Sequence, residues 1–100
     1  SNNLTDQIRR AVTSLPLNIT EGASSMFRRV FYNHLYYAYA SAQELEVLIM
    51  LLKDLKYVDI EVYDKVYLQL DNFKRQNYKL MIYVESGLKK DTFEDKKESN

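Results

Sequence analysis

Between residues 31 and 52 the side chains of Phe31, Leu35, Ala38, Ala42, Leu45, Ile49 and Leu52 step by 4, 3, 4, 3, 4 and 3. That spacing puts all seven on one face of an α-helix, and its period is the heptad seam of helices packed side by side. A strand would need alternation by two, which the run does not show. Leu48 and Leu55 widen the seam to a face suited to a bundle core. Ala38, Ser41 and Ala42 are small and let a neighbouring helix come close at mid-span. The helix is expected from about residue 25 to 56, with Ser24 or Ser25 as its cap.

Two further segments carry the same rhythm. Leu4, Ile8, Val12, Leu15 and Ile19 share one face of a first helix, which Asn3 or Thr5 can cap and which Gly22 is expected to end in a left-handed conformation. Pro16 falls inside it, removes the bond to the Val12 carbonyl and is expected to bend the axis. After a turn at residues 56–59, with Asp59 as cap, Tyr63, Val66, Leu70, Phe73, Asn77, Leu80 and Val84 form a third seam that Gly87 is expected to close. Residues 89–100 are charged without apolar rhythm and read as a frayed tail, leaving residues 1–88 as one helical domain. Two glycines and one proline are too little punctuation for a β-sandwich or barrel. Short turns force antiparallel neighbours, so the expected fold is an all-α antiparallel bundle of three helices. One chain of this size cannot hide three apolar stripes alone, so the bundle is expected to be completed by oligomerisation.

Composition narrows the function classes. Fourteen basic and fourteen acidic residues cancel, so the chain as a whole has no long-range pull on nucleic acid or anionic membrane. It has no cysteine and hence no disulfide framework or thiolate chemistry. No apolar run approaches a membrane span, and the N-terminal stretch SNNLTDQ is not a signal peptide, so a cytoplasmic setting is expected. A carboxylate-bridged metal centre needs Glu-x-x-His motifs, but the single histidine, His34, lies beside the seam and Glu44 has no histidine three residues on. Nothing in the spacing supports a nucleophilic triad or a phosphate loop. The expectation is a non-enzymatic protein with no cofactor, no metal and no small-molecule substrate.

Three features point to contacts. Tyr32, Tyr36 and Tyr39 form a stripe beside the seam, and nine tyrosines exceed what three helices need inside. They are candidates for a subunit interface, with core edge and base stacking as the other readings. Arg9, Arg10, Arg28, Arg29, Lys74, Arg75 and Lys79 are candidate phosphate contacts, provided that the folded oligomer brings them together. Asn77 breaks the third seam and reads as a buried register-setting amide, a solvent-facing position or a ligand contact.

The segment LTDQIRRAVTSLPLNITEG, with Gln7, Arg9, Arg10, Ala11, Ser14, Pro16, Asn18, Ile19, Glu21 and Gly22, resembles the signature of the 23S ribosomal RNA intervening-sequence proteins, a four-helix bundle family. Phe31, Leu35, Ala38, Ser41, Glu44, Leu45 and Glu46 continue the resemblance, which spans about residues 4–58. The sequence departs at Ser25, Phe27 and Val30, where the family usually has Arg, Ser and Glu, and the long helix that usually precedes the glutamine is missing. The resemblance implies a bacterial helical bundle, three of whose four helices are present, often assembled into pentameric rings. It also implies association with RNA or with an RNA-binding protein partner, since a related branch serves retroelements by binding a reverse transcriptase and RNA. Asn18 and Glu21 are placed to bond backbone groups freed by Pro16, or to reach Arg9, Arg10 or a second subunit. The leading expectation is a self-associating scaffold that contacts RNA or an RNA-handling protein; the other is a purely protein-binding module.

Overall fold

The computed structural model describes residues 2–23 and 27–98, apart from the side chains of Asn2, Asn18, Glu21 and residues 91–98. It is all-α, with α1 Asn2–Ala23, α2 Arg28–Asp54 and α3 Ile60–Glu98, and no strand among the described residues. The three helices run up, down and up. α2 lies between the other two and packs on both, while α1 and α3 touch each other far less.

The apolar stripes define the core. Ile8 of α1 meets Ile49 and Val58 at one end, and Leu15 meets Ala42 and Leu70 at mid-span. Leu35, Ala38, Ala42 and Ile49 of the α2 seam are buried. In α3, Leu70, Asn77 and Val84 are buried, whereas Leu80 is 40% exposed. Asn77 is 1% exposed, and its Nδ2 donates to the Leu35 carbonyl at 2.7 Å, tying α3 to α2 at a fixed register. Its Oδ1 has no partner among the described residues.

Several boundaries differ from the sequence expectation. α2 begins at Arg28 with Phe27 in the N-cap position and no side-chain cap bond, and it ends at Asp54. Ser24 and Ser25 lie outside the described residues. α2 stops in a Schellman arrangement: Tyr57 N–H donates to the Leu52 carbonyl at 2.8 Å and Lys56 N–H to the Lys53 carbonyl at 3.0 Å. Lys56, with φ 64°, takes the left-handed position that sequence reasoning reserved for glycine. Asp59 caps α3 as expected, its Oδ1 accepting from Val62 N–H at 2.9 Å. Leu48 and Leu55 do not join the core: they are 44% and 64% exposed.

Neither glycine ends a helix. Both are helical, with no positive φ. Gly22 is buried within α1, where a Cβ would lie 2.6 Å from Cβ and Cγ of His34, so it permits the close approach of α1 to α2. Gly87 sits inside α3, which continues to Glu98. One interior glycine costs only about 1 kcal/mol relative to alanine, too little to stop a helix flanked by Leu88, Lys89 and Lys90. α1 runs unbroken through Pro16, with Thr20 Oγ1 donating to the Pro16 carbonyl at 3.0 Å and Ser14 Oγ to the Ala11 carbonyl at 2.7 Å.

The two glycines should respond oppositely to alanine. Helix propensity favours Ala at both by about 1 kcal/mol. At Gly22 the methyl group meets the root of His34, which cannot move without the backbone, so Gly22→Ala should lower stability by about 1–3 kcal/mol. At Gly87 the obstacle is the end of the flexible Arg28 side chain, so Gly87→Ala should be neutral or stabilising by up to about 1 kcal/mol. Urea unfolding followed by circular dichroism reads both.

Candidate functional site

Beside its apolar seam α2 carries a second stripe at seven-residue spacing: Tyr32, Tyr39, Glu46 and Lys53. It faces α3 along one flank of the molecule, where aromatic and charged groups alternate. Lys53 Nζ lies 4.2 Å above the centre of the Tyr63 ring, and Tyr63 packs on Tyr67 at 5.8 Å. One turn and more further along, Lys74 Nζ bonds Glu46 Oε2 at 3.0 Å and lies 5.5 Å from the centre of the Tyr39 ring. Tyr39 in turn meets Tyr78 at 6.4 Å. Tyr39, Asp71, Lys74, Arg75 and Tyr78 line a shallow groove there, and Arg29, Tyr32, Glu85, Leu88 and Lys89 line another nearer the far end of α3.

The Glu46–Lys74 pair is the most enclosed of these contacts, with both side chains 18% exposed. Burial works to lower the Lys74 pKa, but the hydrogen bond and charge of Glu46, helped by Tyr39 and Tyr67, outweigh it and hold the ammonium above its ordinary value. Glu46 Oε1 is buried with no partner among the described residues, so the carboxylate depends on Lys74 alone for compensation.

The candidate interface tyrosines divide. Tyr32 and Tyr39 are half-buried in the α2–α3 flank, while Tyr36 is exposed and meets Tyr37 edge-on at 6.0 Å. Within one chain the candidate phosphate contacts do not converge. Arg28 lies beside Gly87, thirteen residues beyond Lys74 on α3, a separation of about 20 Å along the axis. Arg9 and Arg10 follow Ile8, at the opposite end of the molecule. Several of these cations also have local partners: Lys74 has Glu46, Arg75 has Asp71 at 3.0 Å, Arg9 has Asp6 at 3.9 Å, and Arg10 Nε donates to the Asp6 carbonyl. Arg29 and Lys79 are exposed.

Among the signature residues, Gln7 is exposed on α1. Ser14 and Glu44 line a groove between α1 and α2 with Ala11, Leu15, Ser41, Leu45 and Leu48. Pro16 lines a groove between α1 and α3 with Ile19, Thr20, Phe73, Gln76, Asn77 and Leu80. Gly22 packs under His34. The side chains of Asn18 and Glu21 lie outside the described residues, and so do the roles expected of them. Sequence reasoning missed Glu46, Lys53, Tyr63, Tyr67 and Tyr78 as members of one flank. The signal available was the interval of seven from Tyr32 to Lys53, hidden because the chemistry changes from aromatic to charged halfway along. Among the described residues no helix is long and apolar enough to cross a membrane, and no three His, Cys, Asp or Glu side chains are grouped to hold a metal ion.

Lys74→Met should lower stability by about 1–2 kcal/mol near neutral pH, because it strands the Glu46 carboxylate in a mostly buried position. The double variant with Glu46→Gln should recover part of the loss. Because the Lys74 pKa is raised by folding, its contribution is fully present below pH 10.5 and is lost as the pH rises through the folded-state value. Urea midpoints across that range should fall more steeply for the wild type than for Lys74→Met.

Comparison with curated proteins and with solved structures gave no match. A sequence model of the family described as 23S rRNA-intervening sequence protein matches residues 1–79, which takes in α1, α2 and the first half of α3. Since the match covers most of the chain and includes the segment around Pro16, the chain belongs to the 23S rRNA-intervening sequence protein family.

Proposed function

We propose that the chain is a non-enzymatic scaffold that associates with copies of itself and contacts RNA or an RNA-handling protein. The observation that carries the first half is surface. The molecule exposes 7607 Å², whereas a compact monomer of 11.9 kDa exposes about 6,000 Å². Its radius of gyration is 17.3 Å, against about 13 Å for a compact chain of this length. Part of the excess is α3, whose 39 residues against 27 in α2 leave about 18 Å of helix unmatched. The rest includes large apolar side chains in the body of the bundle, among them Leu48, Leu51 and Leu68. The excess over a compact monomer is about 1,600 Å², of which the overhang of α3 supplies part and the exposed apolar side chains of the body the rest. On this reading the four-helix pattern is completed between copies.

The family name supports the RNA half. The purely protein-binding alternative is favoured by the pairing of Arg9, Lys74 and Arg75 with carboxylates and by the zero net charge. We assign the chain no catalytic step, cofactor, membrane partner or small-molecule substrate, and place it in the cytoplasm. Light scattering at micromolar concentration should return the mass of at least two chains, and a single-chain mass refutes the scaffold. Filter binding of structured RNA should weaken steeply as salt rises. Binding that is absent, or indifferent to salt, leaves the protein-only module.

A further inference from the structure

The far half of α3 carries an uneven charge. From Asn72 to Lys90 it bears Lys74, Arg75, Lys79, Lys89 and Lys90 against a single carboxylate, Glu85. Lys74 and Arg75 are paired at the near end of this stretch, and Glu85 takes Lys89 at 3.4 Å. Lys79, Tyr83, Ser86 and Lys90 step by 4, 3 and 4, so they share one face, and all four are exposed. The stripe runs about 16 Å along the axis. Glu85 is turned instead toward the groove that it lines with Arg29 and Tyr32. Past Lys90 the sequence turns acidic at Asp91, Glu94 and Asp95, so the basic stripe ends there. Tyr83, in its middle, is 78% exposed, more than any other large apolar side chain among the described residues.

α2 adds a cation from its first turn. Arg28 crosses to α3 over Gly87, where a Cβ would lie 2.7 Å from its Nη1 and 3.1 Å from its Cζ. The bare backbone of Gly87 is thus the seat of the guanidinium. Arg28, Tyr83, Ser86, Gly87 and Lys90 line one groove of about 280 Å³. A guanidinium has five N–H donors, so an edge engaged with one neighbour leaves others for an oxyanion.

We propose that this stripe is the RNA contact: Arg28, Lys79 and Lys90 hold the phosphates of a single-stranded segment, and Tyr83 stacks on a base between them. The inference rests on the RNA reading above and names its surface. A strand of RNA needs cations in a row and an open ring, and both stand here on one face. A double helix keeps its bases stacked inside and would leave the Tyr83 ring unused. Zero net charge does not oppose the contact, because a bound strand responds to charge within about 10 Å, and along the stripe that charge is positive. Tyr83, Gly87 and Lys90 lie past residue 79, where the family match ends, so the family likeness does not carry the contact.

Fluorescence anisotropy of a labelled single-stranded RNA of mixed sequence, titrated with the full chain across a salt series, tests this. Lys79→Gln with Lys90→Gln should weaken binding on the order of tenfold at low salt and reduce the slope of log affinity against log salt by about 1.4. Tyr83→Ala should weaken it by about tenfold with the slope unchanged, and Tyr83→Phe should keep it. Gly87→Ala displaces Arg28, so RNA binding should fall severalfold in a chain at least as stable as the wild type; a merely structural glycine would not separate the two readouts. Lys65→Gln, an exposed charge elsewhere on α3, should leave affinity and slope as they are. Circular dichroism checks that each variant stays helical. A wild type that does not bind RNA removes the RNA reading and this contact together. Salt-sensitive binding that survives intact in the double lysine variant, or falls as far in Lys65→Gln, keeps the RNA reading and overturns the stripe. Unchanged affinity in Tyr83→Ala overturns single-stranded RNA as its ligand, and in Gly87→Ala it overturns the seating of Arg28.

Discussion

Every buried cluster passes through α2. Ile49 anchors one end and Ala42 the middle, and α1 and α3 are held together chiefly because each is held to α2. The choice of alanine at 38 and 42 brings the helices close at mid-span, where a larger residue would push them apart. Around that contact the remaining devices set register rather than supply bulk burial. Asn77 reaches the Leu35 carbonyl, Gly22 admits His34, and Glu46 takes Lys74. A helix with two neighbours also has a side that neither neighbour covers, and on α2 that side carries Leu48, Leu51 and Leu55.

The electrostatics follow the same division. In the α2–α3 flank a carboxylate stands within ion-pair distance of Lys74, Arg75 and Lys89. The exposed pairs of Arg75 and Lys89 contribute little stability, unlike the enclosed Glu46–Lys74 pair, but all three lower the local positive potential that a phosphate backbone would meet. Tyr39 packs on Tyr78 and Tyr63 on Tyr67, with Lys74 and Lys53 over the rings of Tyr39 and Tyr63, while Tyr67 and Tyr78 keep exposed faces. The flank therefore stiffens the chain more than it advertises a ligand, and Arg29 and Lys79 are the candidate phosphate contacts with the freest aspect.

The seams were legible because period is a backbone property. Residues spaced as Leu35, Ala38, Ala42 and Ile49 must share a face whatever surrounds them. The ends were harder to read. Gly22 and Gly87 looked like stops because left-handed caps favour glycine, yet Lys56 takes the left-handed turn, and Gly22 answers to a neighbour 12 residues away that no local rule reveals. Leu48 and Leu55 fit the periodic face of a core, but periodicity does not say how many helices are present to cover it. Pairings between helices, such as Glu46 with Lys74, depend on register across a turn, which the spacing along either helix alone does not fix.

What unites these observations is an apolar stripe on α2 that the folded chain leaves exposed; under the proposed self-association another copy shields it, and folding and association become one equilibrium. Thermal unfolding at two protein concentrations a hundredfold apart tests this most directly. If copies shield one another, the midpoint rises with concentration, because dilution favours the separated, unfolded chain. A midpoint that stays the same across that range, in a chain with full helical signal, would show that a lone molecule is stable and contradict the account.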